Sequence, residues 1–173
     1  MRILVTGGVR SGKSRHAEAL LADAPAVTYV AAGPMDDDAD WAARIAAHRA
    51  RRPAGWATVE TRDVAGAIGA AAAPVLVDCL GTWLTGVIDD AALWEAPVER
   101  VESQVGGHLD ALVAALAGTA EQVVVVTNEV GLGVVPEHRS ARLFRDLLGT
   151  INQRVAEACD EVHLVVAGRV LRL

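Results

Sequence analysis

Lysine is almost missing from this chain: one, Lys13, stands against fifteen arginines in 173 residues. Aromatic side chains are also scarce, at 3% beside 52% hydrophobic residues, so a core has to be built from Ala, Val and Leu. Two cysteines, Cys79 and Cys159, are too few for a disulfide framework. Net positive charge is lacking too. A formal charge of −6 excludes a nucleic-acid partner held by bulk electrostatics, so an anionic ligand needs a local site. No run approaches the ~18 apolar residues of a membrane span, and "MRILVTGG" is too short and too soon broken by glycine to be a signal peptide. The expectation is a soluble, cytoplasmic protein with no membrane span. The abundance of Arg and Ala follows from base composition, which makes the surviving ammonium of Lys13 the anomaly.

What is present is an alternation of short β-branched runs with longer helical patterns. "RILVT" (2–6), "AVTYVA" (26–31), "PVLVD" (74–78), "QVVVVT" (122–127) and "EVHLVV" (161–166) read as strands buried on both faces, as in a parallel sheet. "WATVE" (56–60) alternates more and suits a sheet edge. Val98, Val101, Val105, Leu109, Leu112 and Leu116 recur at three- and four-residue steps and form one helical stripe. Leu143, Leu147, Ile151 and Val155 form another, with Arg139, Arg142 and Arg145 off it. No linker or repeat divides the chain. The expectation is one α/β domain over 1–173, a mostly parallel central sheet flanked by helices.

Gly7, four residues, Gly12, Lys13 and Ser14 fit G-x-x-x-x-G-K-[ST], between a predicted strand and a helix over about 13–22. The backbone of Gly7, Gly8, Val9, Arg10, Ser11 and Gly12 would curl its N–H groups around phosphate oxygens, aided by the helix N-terminus. Lys13 would reach the β- and γ-phosphates as a compact charge, and the Ser14 hydroxyl can ligate Mg²⁺. The fold class is therefore P-loop NTPase-like, with ATP or GTP as the bound nucleotide. "PVLVD" supplies Asp78, either as a second magnesium ligand or as a cap of the following helix. Asp78 and Gly81 also spell D-x-x-G, but the N-K-x-D that reads guanine in regulatory switches has no counterpart, so that match is treated as coincidence. Asn128 and Glu129, in "TNEVG" at a strand end, are candidates for metal or acceptor-hydroxyl contacts, or else a loop-stabilising pair.

A second candidate site lies in residues 36–60. Trp41, Ile45 and His48 fall on one helical face, with Arg44 one turn before His48, and the helix should stop before Pro53. An imidazole beside guanidinium groups suits attack on phosphorus, because arginine favours the neutral imidazole and stabilises charge growing on phosphate oxygens. A lone histidine on such a helix is also compatible with an ordinary surface residue.

Taken together, "ILVTGGVRSGKSRHAEAL", "ARIAAHRARRPAGWATVE" and "VVVVTNEVGLGVVPEHRSARLFRDLLGTINQRVAEACDEVHLVV" resemble the bifunctional adenosylcobinamide kinase/adenosylcobinamide-phosphate guanylyltransferase family of cobalamin biosynthesis. The likeness runs from first strand to last, with residues 61–118 loosely patterned. It implies transfer of a γ-phosphate to the aminopropanol hydroxyl of adenosylcobinamide, a corrinoid. It further implies transfer of GMP from GTP through a covalent histidine, which falls on His48; position 47, where some members carry a second histidine, is Ala47. The resemblance also implies nucleotide contacts from Arg49, Arg52 and Glu60, Mg²⁺ as cofactor, and a homotrimer. The rival reading is another small-metabolite P-loop kinase in which His48 is incidental.

Overall fold

The β-branched runs pair into one sheet because each is apolar on both faces and has helices to cover it. A computed structural model describes residues 1–33 and 52–173. Its strands are β1 (Arg2–Gly7), β2 (Val27–Ala31), β3 (Trp56–Glu60), β4 (Val75–Asp78), β5 (Val123–Val126), β6 (Glu161–Val166) and β7 (Arg169–Arg172). The helices are α1 (Lys13–Ala19), α2 (Val64–Gly69), α3 (Leu80–Asp90), α4 (Val98–Gly118) and α5 (Arg139–Glu157). The sheet order is β3-β2-β4-β5-β1-β6-β7, parallel throughout except for β7, which returns antiparallel on β6.

Period-two alternation divides the strand residues between two layers. Ile3, Val5, Leu76, Val124 and Val126 face α1, packing with Ala17, Leu21 and Tyr29. Leu4, Val75, Val77, Val123 and Val125 face α2 to α5. On that side the stripe of α4 is buried from Val101 to Leu116, and α5 buries Leu143, Leu147, Leu148, Ile151 and Val155. Full burial of each such aliphatic side chain stabilises by about 1.5–3 kcal/mol, so the shortage of aromatics costs the core little. Among the described residues, Tyr29, Trp56 and Trp83 are the aromatics buried in it, Trp83 with its indole N–H donating to the Arg62 carbonyl at 3.1 Å.

Two expectations shift, and one strand had no expectation attached to it. Val98 opens α4 but is 41% exposed, so the buried stripe begins at Val101. Helix α1 stops at Ala19 rather than near residue 22, giving way to turns over 20–23. Strand β7 carries no burial pattern, all four residues being exposed, and it pairs because a two-residue turn delivers it to β6. That turn, Ala167–Gly168, has φ of 49° and 75°, the left-handed pair that suits tight hairpins.

Candidate active site

Because β1 to β6 are parallel, their carboxyl ends share one edge of the sheet, and β1 sits where the chain switches sides between β5 and β6. Ligands of open α/β sheets bind at such an edge. The glycine-rich loop leaves β1 there. Gly12 takes φ 97°, open to glycine alone at little cost, and Arg10 takes φ 55°. Gly7 is required by contact: a Cβ there would sit 2.5 Å from the Val165 carbonyl oxygen and 2.7 Å from Ser11 Oγ. The loop is closed by Ser11 N–H donating to Gly8 O at 3.3 Å and by Lys13 Nζ donating to the same carbonyl at 3.1 Å. From outside, Gly168 N–H donates to Ser11 O at 2.8 Å, so the β6–β7 turn braces the loop. Gly8, Val9 and Arg10 are exposed, whereas Ser11 is buried and its Oγ has no hydrogen-bond partner among the described residues. Lys13 and Ser14 open α1, half-buried.

Asp78 ends β4, one strand away from β1 across β5. It does not cap α3; Cys79 takes that position, its backbone N–H donating to Thr82 Oγ1 at 3.4 Å. The Asp78 carboxylate instead accepts from the Tyr29 hydroxyl at 3.0 Å. Burial, with the nearby Asp78 charge, pushes the Tyr29 phenol far above its ordinary pKa, so it remains a donor. The guanidinium of Arg52 lies 3.3 Å above the Tyr29 ring and is fixed by donation to Thr58 Oγ1 at 2.8 Å. Tyr29, the chain's single tyrosine, was overlooked by sequence reasoning. Its signal was an aromatic with a polar tip in an otherwise aliphatic strand.

Asn128 and Glu129 continue β5 along β1, with Glu129 N–H donating to Gly7 O at 3.1 Å, which sets them beside the phosphate loop. Asn152 on α5 clamps this strand end: its Oδ1 accepts from Thr127 Oγ1 at 2.6 Å and its Nδ2 donates to Asn128 O at 3.0 Å. Asn128 Oδ1 accepts from Cys79 Sγ at 3.5 Å, which ties it to the start of α3, and Glu129 Oε1 accepts from Gly131 N–H at 2.5 Å within its own loop. Gly81 explains the chance D-x-x-G, since a Cβ there would meet Asn128 Oδ1 at 2.8 Å.

Beyond Glu129 the chain is pinned from α5. Arg145 donates to Val134 O at 2.8 Å and to Gly131 O at 2.6 Å, and Arg142 donates to Pro136 O at 3.0 Å. Arg139 holds the Trp94 and Ala96 carbonyls at 2.5 and 2.6 Å. Arg139, Arg142 and Arg145, off the apolar stripe, are thus loop clamps. A cavity of about 480 Å³ opens among Trp94, Val130, Pro136, Phe144 and Arg145.

Glu60 is exposed at the end of β3, in register with Ala31. Arg44, His48 and Arg49 lie outside the described residues. Ser14 and Asp78 offer a hydroxyl and a carboxylate, the hard oxygen donors that magnesium takes with phosphate and water. Among the described residues no group of three or more His, Cys, Asp and Glu gathers to hold a metal. A hydroxyl and a carboxylate from two elements fit a magnesium ion whose other ligands are phosphate and water oxygens. No helix among the described residues is long and apolar enough to cross a membrane.

A solved ATPase from the type III secretion system of pathogenic bacteria superposes with a TM-score of 0.59 at 12% identity, covering 94% of this chain and 50% of that one, a likeness of fold alone. Relatives in sequence extend over nearly the whole length. The bifunctional adenosylcobalamin biosynthesis protein CobU of Salmonella typhimurium is 48% identical over 179 residues, covering 97% of each chain. Its Escherichia coli namesake is 46% identical over 176 residues, again covering 97% of each. The bifunctional adenosylcobalamin biosynthesis protein CobP of Pseudomonas aeruginosa is 40% identical over 173 residues, covering 97% of this chain and 94% of its own. The cobinamide kinase / cobinamide phosphate guanyltransferase family matches residues 3–173. With a phosphate loop built as that chemistry requires and likeness along the full chain, this protein belongs to the cobinamide kinase / cobinamide phosphate guanyltransferase family.

Proposed function

We propose that this chain, as one domain over residues 1–173, carries out two successive transfers on a corrinoid. In the first, the aminopropanol hydroxyl oxygen of adenosylcobinamide attacks the γ-phosphorus of a nucleoside triphosphate. The new O–P bond forms as the bridging O–P bond breaks, the hydroxyl proton is lost and the nucleoside diphosphate leaves. In the second, an imidazole nitrogen of His48 attacks the α-phosphorus of GTP and pyrophosphate leaves. The phosphate oxygen of adenosylcobinamide phosphate then displaces the histidine, giving adenosylcobinamide-GDP. Two displacements let pyrophosphate depart before the bulky acceptor has to fit.

The observation that carries this reading is a complete phosphate loop in a chain alike, from end to end, to relatives named for two activities. Lys13 and the loop N–H groups hold the phosphates, and Arg49, Arg52 and Glu60 contact the nucleotide, with Arg44 beside the histidine. Asn128 and Glu129 border the acceptor side of the loop. Ser14 and Asp78 hold Mg²⁺, which when bound neutralises charge on the phosphate oxygens. The enzyme acts in the cytoplasm as a homotrimer, for which the exposed Leu132, Val134 and Val135 supply apolar contact surface.

The test is incubation with GTP labelled at the α-phosphate, followed by denaturation. The expected result is an acid-labile, alkali-stable adduct that His48→Ala abolishes. A wild-type chain that phosphorylates adenosylcobinamide but never takes up label would leave a P-loop kinase alone.

A further inference from the structure

We infer that the cavity between α5 and the loop after β5 seats the corrinoid acceptor, holding one edge of its macrocycle while the reacting arm extends to the phosphate loop. This rests on the reading of the chain as a corrinoid transferase. The cavity measures about 480 Å³, within the range of small-molecule sites. Two contacts tie it to the phosphate loop. Its Val130 wall directly follows Glu129, whose N–H donates to Gly7 O at 3.1 Å. Its Phe144 side reaches the strand ends: a Cβ on Gly81 would lie 3.7 Å from Phe144 Cζ and 2.8 Å from Asn128 Oδ1. The cavity therefore opens at the carboxyl edge of the sheet, where ligands of such folds bind. It also adjoins Asn128 and Glu129, on the acceptor side of the loop, and lies on the face of the sheet opposite α1.

The lining suits a corrin better than a phosphate. Trp94, Val130 and Phe144 are half-buried, packed against the core on one side and uncovered on the other. Such aromatic surface takes apolar ring surface. Both walls are set in advance, which lowers the ordering cost of binding. The Trp94 indole N–H donates to Asp89 Oδ1 at 2.5 Å, and Arg139 holds the Trp94 carbonyl. Opposite, Arg145 donates to the Val134 and Gly131 carbonyls, which turns its guanidinium into its own loop rather than toward an anion. Glu95 and Ser140 are exposed at the mouth, a carboxylate acceptor and a hydroxyl that both donates and accepts. A cobalt corrin offers the complement of this set: a net positive charge, apolar ring surface and neutral amide arms. The macrocycle is too large to enter whole, so an edge enters and the aminopropanol arm stays free to follow Glu129 to the loop. Adenosylcobinamide and its phosphate share this body, so one seat serves both transfers.

Initial rates of the kinase step against adenosylcobinamide, and of guanylyl transfer against adenosylcobinamide phosphate, provide the test in wild type, Trp94→Ala, Trp94→Phe and Ala141→Trp. Ala141 is exposed on the α5 wall, so an indole there fills the cavity without removing a core contact. It keeps the test open should Trp94→Ala fail to fold. KM for both acceptors is expected to rise about tenfold or more in Ala141→Trp and Trp94→Ala, and to return to within about threefold of wild type in Trp94→Phe. Affinity for α,β-methylene-GTP, measured by calorimetry without acceptor, should stay within about twofold in every variant. Acceptor KM unchanged in Ala141→Trp and Trp94→Ala would overturn the inference and leave the two-transfer reading intact. A loss of nucleotide affinity in place of a rise in acceptor KM would also overturn it, by giving the cavity to the base. If the wild type transfers no phosphate to adenosylcobinamide, the functional reading falls, and this inference with it.

Discussion

The phosphate loop has two unlike flanks. Toward β4 and β2 its neighbours are side chains with charge and directional donors: Asp78, Tyr29 and Arg52, with Asn128 close by on the β5 extension. Toward β6 and β7 its neighbours are largely main chain, with the Val165 carbonyl against Gly7 and the Gly168 N–H on the Ser11 carbonyl. The first flank can be read by a ligand, while the second can only hold the loop in shape. Substitution on the first flank should therefore change chemistry in an intact fold. On the second it should change stability first and chemistry as a consequence.

Lys13 spans the loop itself and should give the largest effect. Lys13→Arg keeps the charge but replaces a compact ammonium by a planar fork, and about 100-fold or greater loss of both activities is expected. Thermal unfolding should stay within about 2 °C of wild type. Near wild-type rates would mean that the lone lysine is an accident of composition. Gly7→Ala comes next, on the bracing flank. Its Cβ would meet a backbone oxygen at 2.5 Å, which has no rotamer to yield, so destabilisation of about 1–3 kcal/mol is expected in denaturant melts. Gly8→Ala is the control one residue on: a Cβ there meets nothing within 4 Å, so stability should hold within about 0.5 kcal/mol. If Gly7→Ala were as stable as Gly8→Ala yet failed to bind nucleotide, the division into two flanks would break.

The same division explains what could be read from sequence. Strands buried on both faces announce themselves as unbroken apolar runs, and the phosphate loop as a fixed spacing of glycines with Lys13 and Ser14. Those patterns located the sheet, the edge strand β3 and the loop. The bracing flank left no such trace. "RVLR" is exposed at every position, and Ala167 and Gly168 form no marked turn signal, so β7 and its turn emerge only once β6 is in place. Tyr29 was hidden for a different reason. Its hydrogen bond to Asp78 depends on the register of β2 against β4, a pairing between residues 49 apart in the chain that no local pattern encodes. Arg139, Arg142 and Arg145 of α5 were legible as off-stripe charges but not as clamps, because their partners are backbone carbonyls, which have no sequence signature.

Two smaller effects sharpen the comparison on its bracing side. Gly168→Ala adds no clash, but it asks a residue with a Cβ to hold φ 75°, at about 1 kcal/mol. A modest loss of stability, with the Mg²⁺-dependent part of nucleotide affinity preserved, is expected from melts and titrations of that variant.

The smallest effect concerns a chain of polar side chains on this flank. His16 on α1 meets the fully buried His163 of β6, Nε2 to Nδ1 at 2.9 Å, and His163 Nε2 meets Glu161 at 2.8 Å. If His163 donates to the carboxylate, its Nδ1 accepts and His16 Nε2 donates, a chain that needs no net charge on either ring. Burial, then the proximity of His163 and of Arg172 on β7, lowers the pKa of His16 below its ordinary 6.5. The unfolded chain therefore takes up a proton near pH 6.5 while the folded His16 resists it. Stability contributed above that pH is lost as pH falls from 6.5 toward the folded value. This window is separate from that of Asp160, whose carboxyl is held at about 2 by Arg2 and whose contribution is lost only between 3.8 and that value. His16→Gln keeps a donor toward His163 but cannot titrate. The expected result is a fall in melting temperature of about 1–3 °C from pH 7.5 to 5.5 in wild type, and a smaller fall in the variant. Equal slopes would place the acid sensitivity elsewhere and leave this flank with no titrating part.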